Sequence, residues 1–74
     1  MDEIAPLPLI RVNGQDEPLS APTVAGFLAE RSIFPEVPGV AVALNGRVVP
    51  RAAWRDTALS AHDVIEIVVA KQGG

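Results

Sequence analysis

The sequence has no cysteine and a single histidine, His62. Disulfides, thiolate zinc sites and cysteine nucleophiles are therefore excluded, and so is a metal cluster built on several histidines. Basic residues are in deficit: six Lys and Arg stand against nine Asp and Glu, for a formal net charge of −3. That balance argues against nonspecific nucleic-acid binding, which needs a basic field. Long apolar runs are missing as well. The longest, Val40 to Leu44, falls far short of the about 18 residues that a membrane helix needs. Asp2 and Glu3 stand where a secretory signal would carry positive charge. The expectation is a soluble, cytoplasmic chain that neither crosses nor coats a membrane.

Two further absences bear on chemistry. Gly14, Gly26, Gly39 and Gly46 are isolated from one another, so no glycine-rich loop can cradle a phosphate. No set of side chains forms a plausible catalytic constellation, and an enzyme is not expected. What is present is 74 residues, 49% of them apolar. That length allows one domain, and its core must hold by packing alone.

Residues 1–8, with Pro6 and Pro8, read as a flexible leader, and residues 9–69 as the folded domain. Leu9-Ile10-Arg11-Val12 reads as a short strand ended by Asn13-Gly14, a strong hairpin signal because both residues tolerate positive φ. Glu17 to Ser20 is the expected return strand, and Pro18 confines it to a sheet edge. A helix is expected from Pro22 or Thr23. Val24, Phe27 and Leu28 form its apolar stripe, and Glu30 and Arg31 are solvated. Gly26 weakens that helix, which a close approach to the sheet would explain. Ser32 to Gly39 is a loop. Val40 to Leu44 alternates, with Val40, Val42 and Leu44 on one face and Ala41 and Ala43 on the other. A second Asn-Gly, Asn45-Gly46, leads into Arg47-Val48-Val49, ended by Pro50. Arg51 to Arg55 is a helical turn carrying Trp54, expected as a lid over the core edge. Leu59 anchors a turn-rich connection, where Asp63 caps a turn through its side chain. Val64 to Val69, β-branched nearly throughout, suits the middle of a sheet. One helix covering one face of a mixed sheet is the economical closure for a chain this short.

The chain ends in Gly73-Gly74 after Ala70-Lys71-Gln72. A terminal glycine pair can be a ragged end or a cloning scar. It can also thread a narrow channel, since neither residue has a Cβ. Five extended residues from Ala70 reach about 17 Å. That distance carries a terminal carboxylate into another protein's active site. The carboxylate is ionised at neutral pH and is a poor electrophile until activated, most simply as an acyl-adenylate. This chain holds nothing that could activate it, so the activating enzyme is a partner.

The order of elements, together with Gly73-Gly74, resembles the β-grasp, ubiquitin-like sulfur carriers of the ThiS/MoaD type. Within them the ThiS family is most similar. The residues that carry this are Val42-Ala43-Leu44-Asn45-Gly46, Val48 to Trp54, Leu59, Asp63 to Val68 and Gln72-Gly73-Gly74. Val-Pro-Arg-x-x-Trp at residues 49 to 54 is the specific part. The similarity spans residues 9 to 74. Met1 to Pro8 is an extension relative to the family. His62-Asp63 replaces a frequent Gly-Asp, and His62 must bear any positive φ required there.

The resemblance implies an α+β β-grasp fold, with a mixed sheet of four to five strands on one helix and a flexible tail of residues 70–74. It implies a sulfur carrier for thiazole formation in thiamine biosynthesis. An E1-like adenylyltransferase of the ThiF type would use ATP and Mg²⁺ on the Gly74 carboxylate. A cysteine desulfurase relay would supply persulfide sulfur, and a thiazole synthase of the ThiG type would consume the thiocarboxylate. The carrier itself would bind no cofactor. Gly73, Gln72 and Lys71 would form the tail behind Gly74. Docking is expected on Val68, Glu66, Val64, Ala41 and Ala43, with Pro50 and Arg51 as further candidates. Two alternatives stay open: a carrier for molybdopterin, tRNA thiolation or cysteine synthesis, and a ubiquitin-like interaction module or protein modifier.

Overall fold

Each Asn-Gly pair folds back on itself as a two-residue turn. Asn13 and Asn45 take φ of 50° and 52°, and the glycines that follow take 87° and 84°. These are the left-handed values a tight hairpin turn requires. In the computed structural model, which describes residues 7–70, the first turn joins β1 (Leu9–Val12) to β2 (Gln15–Pro18). The second joins β3 (Val40–Leu44) to β4 (Arg47–Val48). β2 thus begins earlier than the Glu17 expected from sequence. A two-residue turn leaves no slack, so Gln15 pairs directly with Val12. β2 is an outer strand, where Pro18 leaves no ladder bond unmade.

β5 (Val64–Val69) completes a five-stranded sheet of order β2-β1-β5-β3-β4. It runs parallel to β1 and antiparallel to β3. The most apolar strand therefore occupies the centre, as its composition demands. Between the hairpins lies α1 (Val24–Ala29). Thr23 caps it, its Oγ1 accepting from the amide of Gly26 at 3.1 Å. The helix stops where Ser32 turns left-handed at φ 62° and its amide bonds the Ala29 carbonyl at 3.0 Å. A 3₁₀ turn, η1 (Arg51–Asp56), packs against α1.

One cluster forms the core: Ile10 and Val12 from β1, Val24, Phe27 and Leu28 from α1, Val40 and Val42 from β3, Ile65 from β5, and Val49, Trp54 and Leu59 from the connections. Each aliphatic side chain buried there contributes about 1.5–3 kcal/mol. Trp54 is fully buried, deeper than a lid, and its Nε1 donates to the Val49 carbonyl at 3.0 Å.

Two expectations about α1 need correction. A Cβ on Gly26 would meet Thr23 Oγ1 at 3.3 Å and the Ala21 Cβ at 3.4 Å. The crowding comes from the helix's own cap, not from the sheet. Arg31 is not solvated but half-buried: its guanidinium pairs with Glu17 of β2 and lies 4.0 Å from the centre of the Phe27 ring. Glu30 remains exposed and accepts from Ser20 Oγ at 2.6 Å.

The remaining turn behaves as its residues dictate. His62 takes φ 69°. Asp63 accepts from the Ser60 amide at 2.8 Å through one carboxylate oxygen and from Asn45 Nδ2 at 3.1 Å through the other. Gly-Asp would fit this turn without strain; His-Asp fits it with a small left-handed cost.

Candidate functional site

Period two divides β5 between two environments. Ile65 and Ile67 point into the cluster beneath α1, which leaves Val64, Glu66 and Val68 on the opposite face. The register sets Val68 beside Ala41 and Glu66 beside Ala43. All five sequence-predicted strand residues therefore share the outer face of the sheet. Val68 is 61% exposed. Nothing among the described residues packs over this face as α1 packs over the other.

Two more apolar side chains belong to it. Val48 of β4 pairs with Ala43 and is 76% exposed. Leu9 lies on the same side of β1 as Arg11, because Ile10 and Val12 are buried. Neither residue was expected here. Val48 was legible in principle, since a two-residue turn at Asn45-Gly46 places it opposite Ala43. The face thus carries Leu9, Val48, Val64 and Val68 around the carboxylate of Glu66. Arg11, held to Asp16 at 3.4 Å, stands at one margin. Exposed apolar residues gathered around few charges mark a surface built for contact.

Pro50 and Arg51 do not join that face. They start η1, which packs against α1 on the covered side of the sheet. Among the described residues the Arg51 guanidinium makes no salt bridge. It donates to the backbone carbonyls of Pro35 and Val37, each at 2.6 Å, and of Val40 at 3.3 Å. These carbonyls occupy donors that a partner would otherwise use.

Ala70 ends the described chain. Its amide donates to the Gly39 carbonyl at 2.7 Å. Lys71, Gln72, Gly73 and Gly74, expected as the reactive tail, lie outside the described residues, as does the leader through Pro6. Pro8 is described, and its carbonyl accepts from the Leu19 amide at 2.7 Å, so the β1–β2 hairpin is bonded from that residue onward. Among the described residues no group of three or more His, Asp or Glu side chains could hold a metal ion. No helix among them is long and apolar enough to cross a membrane.

The comparisons with known proteins agree with this geometry. A family model described as the ThiS family matches residues 9–74. A crystal structure of a thiamine biosynthesis protein (ThiS) from Geobacter metallireducens superposes with a TM-score of 0.71 at 26% identity, covering 89% of this chain and 99% of that one. A solution structure of a thiamine biosynthesis protein from the same organism gives 0.72, again at 26% identity, covering 89% of this chain and 87% of that one. No curated protein sequence matches.

Proposed function

The chain belongs to the ThiS family, and from that membership we propose that it is a sulfur carrier protein of thiamine biosynthesis that works through the carboxylate of Gly74. One observation carries the proposal. The family match runs from residue 9 to residue 74, so it takes in Gly73 and Gly74 together with the folded body. The likeness to the crystal and solution structures of a Geobacter metallireducens thiamine biosynthesis protein supports it.

The chemistry follows from what a carboxylate lacks. An E1-like partner of the ThiF type transfers AMP from Mg²⁺-bound ATP to Gly74, releasing pyrophosphate. The terminal sulfur of a persulfide, supplied by a cysteine desulfurase relay, then attacks the acyl carbon, and AMP leaves. A thiol reduces the S–S bond of the resulting acyl disulfide, which frees a thiocarboxylate on Gly74. A thiazole synthase of the ThiG type takes that sulfur into the thiazole ring. The carrier is a co-substrate in each step and supplies no catalytic group. Its own contribution is a glycine pair slender enough for a narrow channel and an outer sheet face, Val64, Glu66, Val68, Ala41 and Ala43, against which partners dock.

Intact-mass analysis after incubation with ATP, an E1-like partner, a persulfide donor and a thiol reductant tests this. The expected result is one oxygen-for-sulfur exchange, absent from a chain that lacks Gly74. A terminus unchanged by every cognate partner overturns the reading. Transfer to thiazole synthase separates thiamine biosynthesis from other sulfur pathways.

A further inference from the structure

Arg51 sits in the Val-Pro-Arg-x-x-Trp segment at residues 49 to 54, and carrier chemistry gives it no task. Its guanidinium is nonetheless engaged in three hydrogen bonds. Nη1 donates to the carbonyls of Pro35 and Val37 at 2.6 Å each, and Nη2 donates to that of Val40 at 3.3 Å. Its Cζ lies 5.1 Å from the centre of the Trp54 ring. The three carbonyls bracket Pro38 and Gly39, on the approach from the loop into β3. A guanidinium presents five N–H donors in a fixed planar fork, which suits several carbonyls held in a set arrangement; an ammonium group has three donors but no fixed plane, on a flexible stem.

The segment clamped in this way holds the end of β5. Gly39 adopts φ 77°, and its carbonyl accepts the amide of Ala70 at 2.7 Å. A Cβ on Gly39 would lie 3.4 Å from the Ala70 Cβ, so the two backbones are in close contact. Ala70 stands four positions before Gly74.

We propose that Arg51 is a positioning residue for the C-terminal tail. By holding the carbonyls of Pro35, Val37 and Val40 it fixes Gly39, and through the Gly39 carbonyl it fixes Ala70, from which residues 71–74 continue. Each residue left unanchored ahead of the carboxylate adds conformations that are lost when the carboxylate enters a partner's active site. Anchoring Ala70 in the free protein removes that loss at one residue. The benefit to sulfur transfer rests on the carrier reading; the anchoring of Ala70 does not.

Two variants test this. Arg51→Lys keeps the charge and removes the fork. Ala70→Pro removes the N–H that Gly39 accepts and sets the ring Cδ against that carbonyl, so the contact is broken, while the extended Val69 before it suits a following proline. Amide hydrogen exchange is read at Ala70, with Ala43 and Glu66, paired in the centre of the sheet, as internal references. In Arg51→Lys, exchange at Ala70 is expected to accelerate about tenfold while Ala43 and Glu66 keep their protection. Both variants are expected to raise the KM of the adenylating partner for the carrier several-fold, with kcat little changed. Unaltered exchange at Ala70 in Arg51→Lys overturns the proposal. So does equal acceleration at Ala70, Ala43 and Glu66, which would make Arg51 a support of the whole fold. An unchanged KM in Ala70→Pro also overturns it, and that variant decides the matter if Arg51→Lys does not fold. If the natural chain is not adenylated at all, the carrier reading fails while exchange at Ala70 still decides the anchoring.

Discussion

The side chain of Asn13 does for Ile67 what a neighbouring strand would do: Nδ2 donates to its carbonyl at 3.1 Å, and Oδ1 accepts its amide at 2.8 Å. Backbone pairing between β1 and β5 is short: Arg11 pairs with Val64 and Val12 with Ile65, and the last backbone bond runs from the Asn13 amide to the Ile65 carbonyl at 3.0 Å. The asparagine carries the ladder two residues further. Asn45 does half as much on the other flank, where its Oδ1 accepts the Val64 amide at 2.9 Å. Both hairpins therefore use their turn asparagine to grip the central strand.

This grip can be separated from the turn. Asn13→Gly keeps the left-handed backbone and loses both bonds, and is expected to destabilise by about 1 kcal/mol. Asn13→Ala loses the bonds and also places a Cβ at positive φ, for about 2 kcal/mol in all. Urea unfolding at constant m-value measures both. A glycine variant as stable as the natural chain would show that the side-chain bonds contribute nothing.

His62→Gly is expected to stabilise. It relieves a left-handed residue in an exposed turn, a net gain of about 0.5 kcal/mol once the larger entropy of unfolded glycine is counted. The His62 side chain makes no hydrogen bond among those of the described residues, and sulfur transfer should not change. A lower melting temperature by calorimetry would contradict this.

Trp54→Phe removes the indole N–H from the Val49 carbonyl and leaves a small void in the core. The expected loss is about 2–3 kcal/mol, measured as a lower denaturant midpoint. A loss under about 1 kcal/mol would mean that the carbonyl finds another donor.

Val68→Lys probes the outer face. Val68 is exposed, so stability should change by less than about 1 kcal/mol. If the proposed adenylating partner docks on this face, its affinity, followed by titration calorimetry, is expected to weaken at least tenfold, because an ammonium group would sit in the proposed apolar contact. Unchanged affinity would move the docking surface elsewhere.

Local chemistry was the legible part of this fold. Asn13-Gly14 and Asn45-Gly46 announced both hairpins, and the β-branched run from Val64 to Val69 announced a central strand. The Val40-to-Leu44 alternation separated core from outer face correctly. β2 starts at Gln15, ahead of the expected Glu17, because the two-residue turn fixes the register. Longer-range partners were not legible. Nothing near Arg51 in sequence names the carbonyls of Pro35, Val37 and Val40. Nothing near Arg31 names Glu17 or its position over Phe27. Asn13 read as a turn former, and the strand its side chain would reach depends on the sheet order. Of the candidate site, the five outer-face residues follow from period two, while the separation of Pro50 and Arg51 follows from how η1 packs.

The placement of β5 between β1 and β3 has a mechanical side. Consider a pull applied at Ala70 along the axis of this strand. The hydrogen bonds on both flanks lie across that direction, so they are loaded in shear and must give way together. A C-terminal strand at a sheet edge would have one flank to hold it, and one in a terminal hairpin could peel open bond by bond. β5 is the strand hardest to extract from this sheet, and a load at its Ala70 end is shared by both flanks.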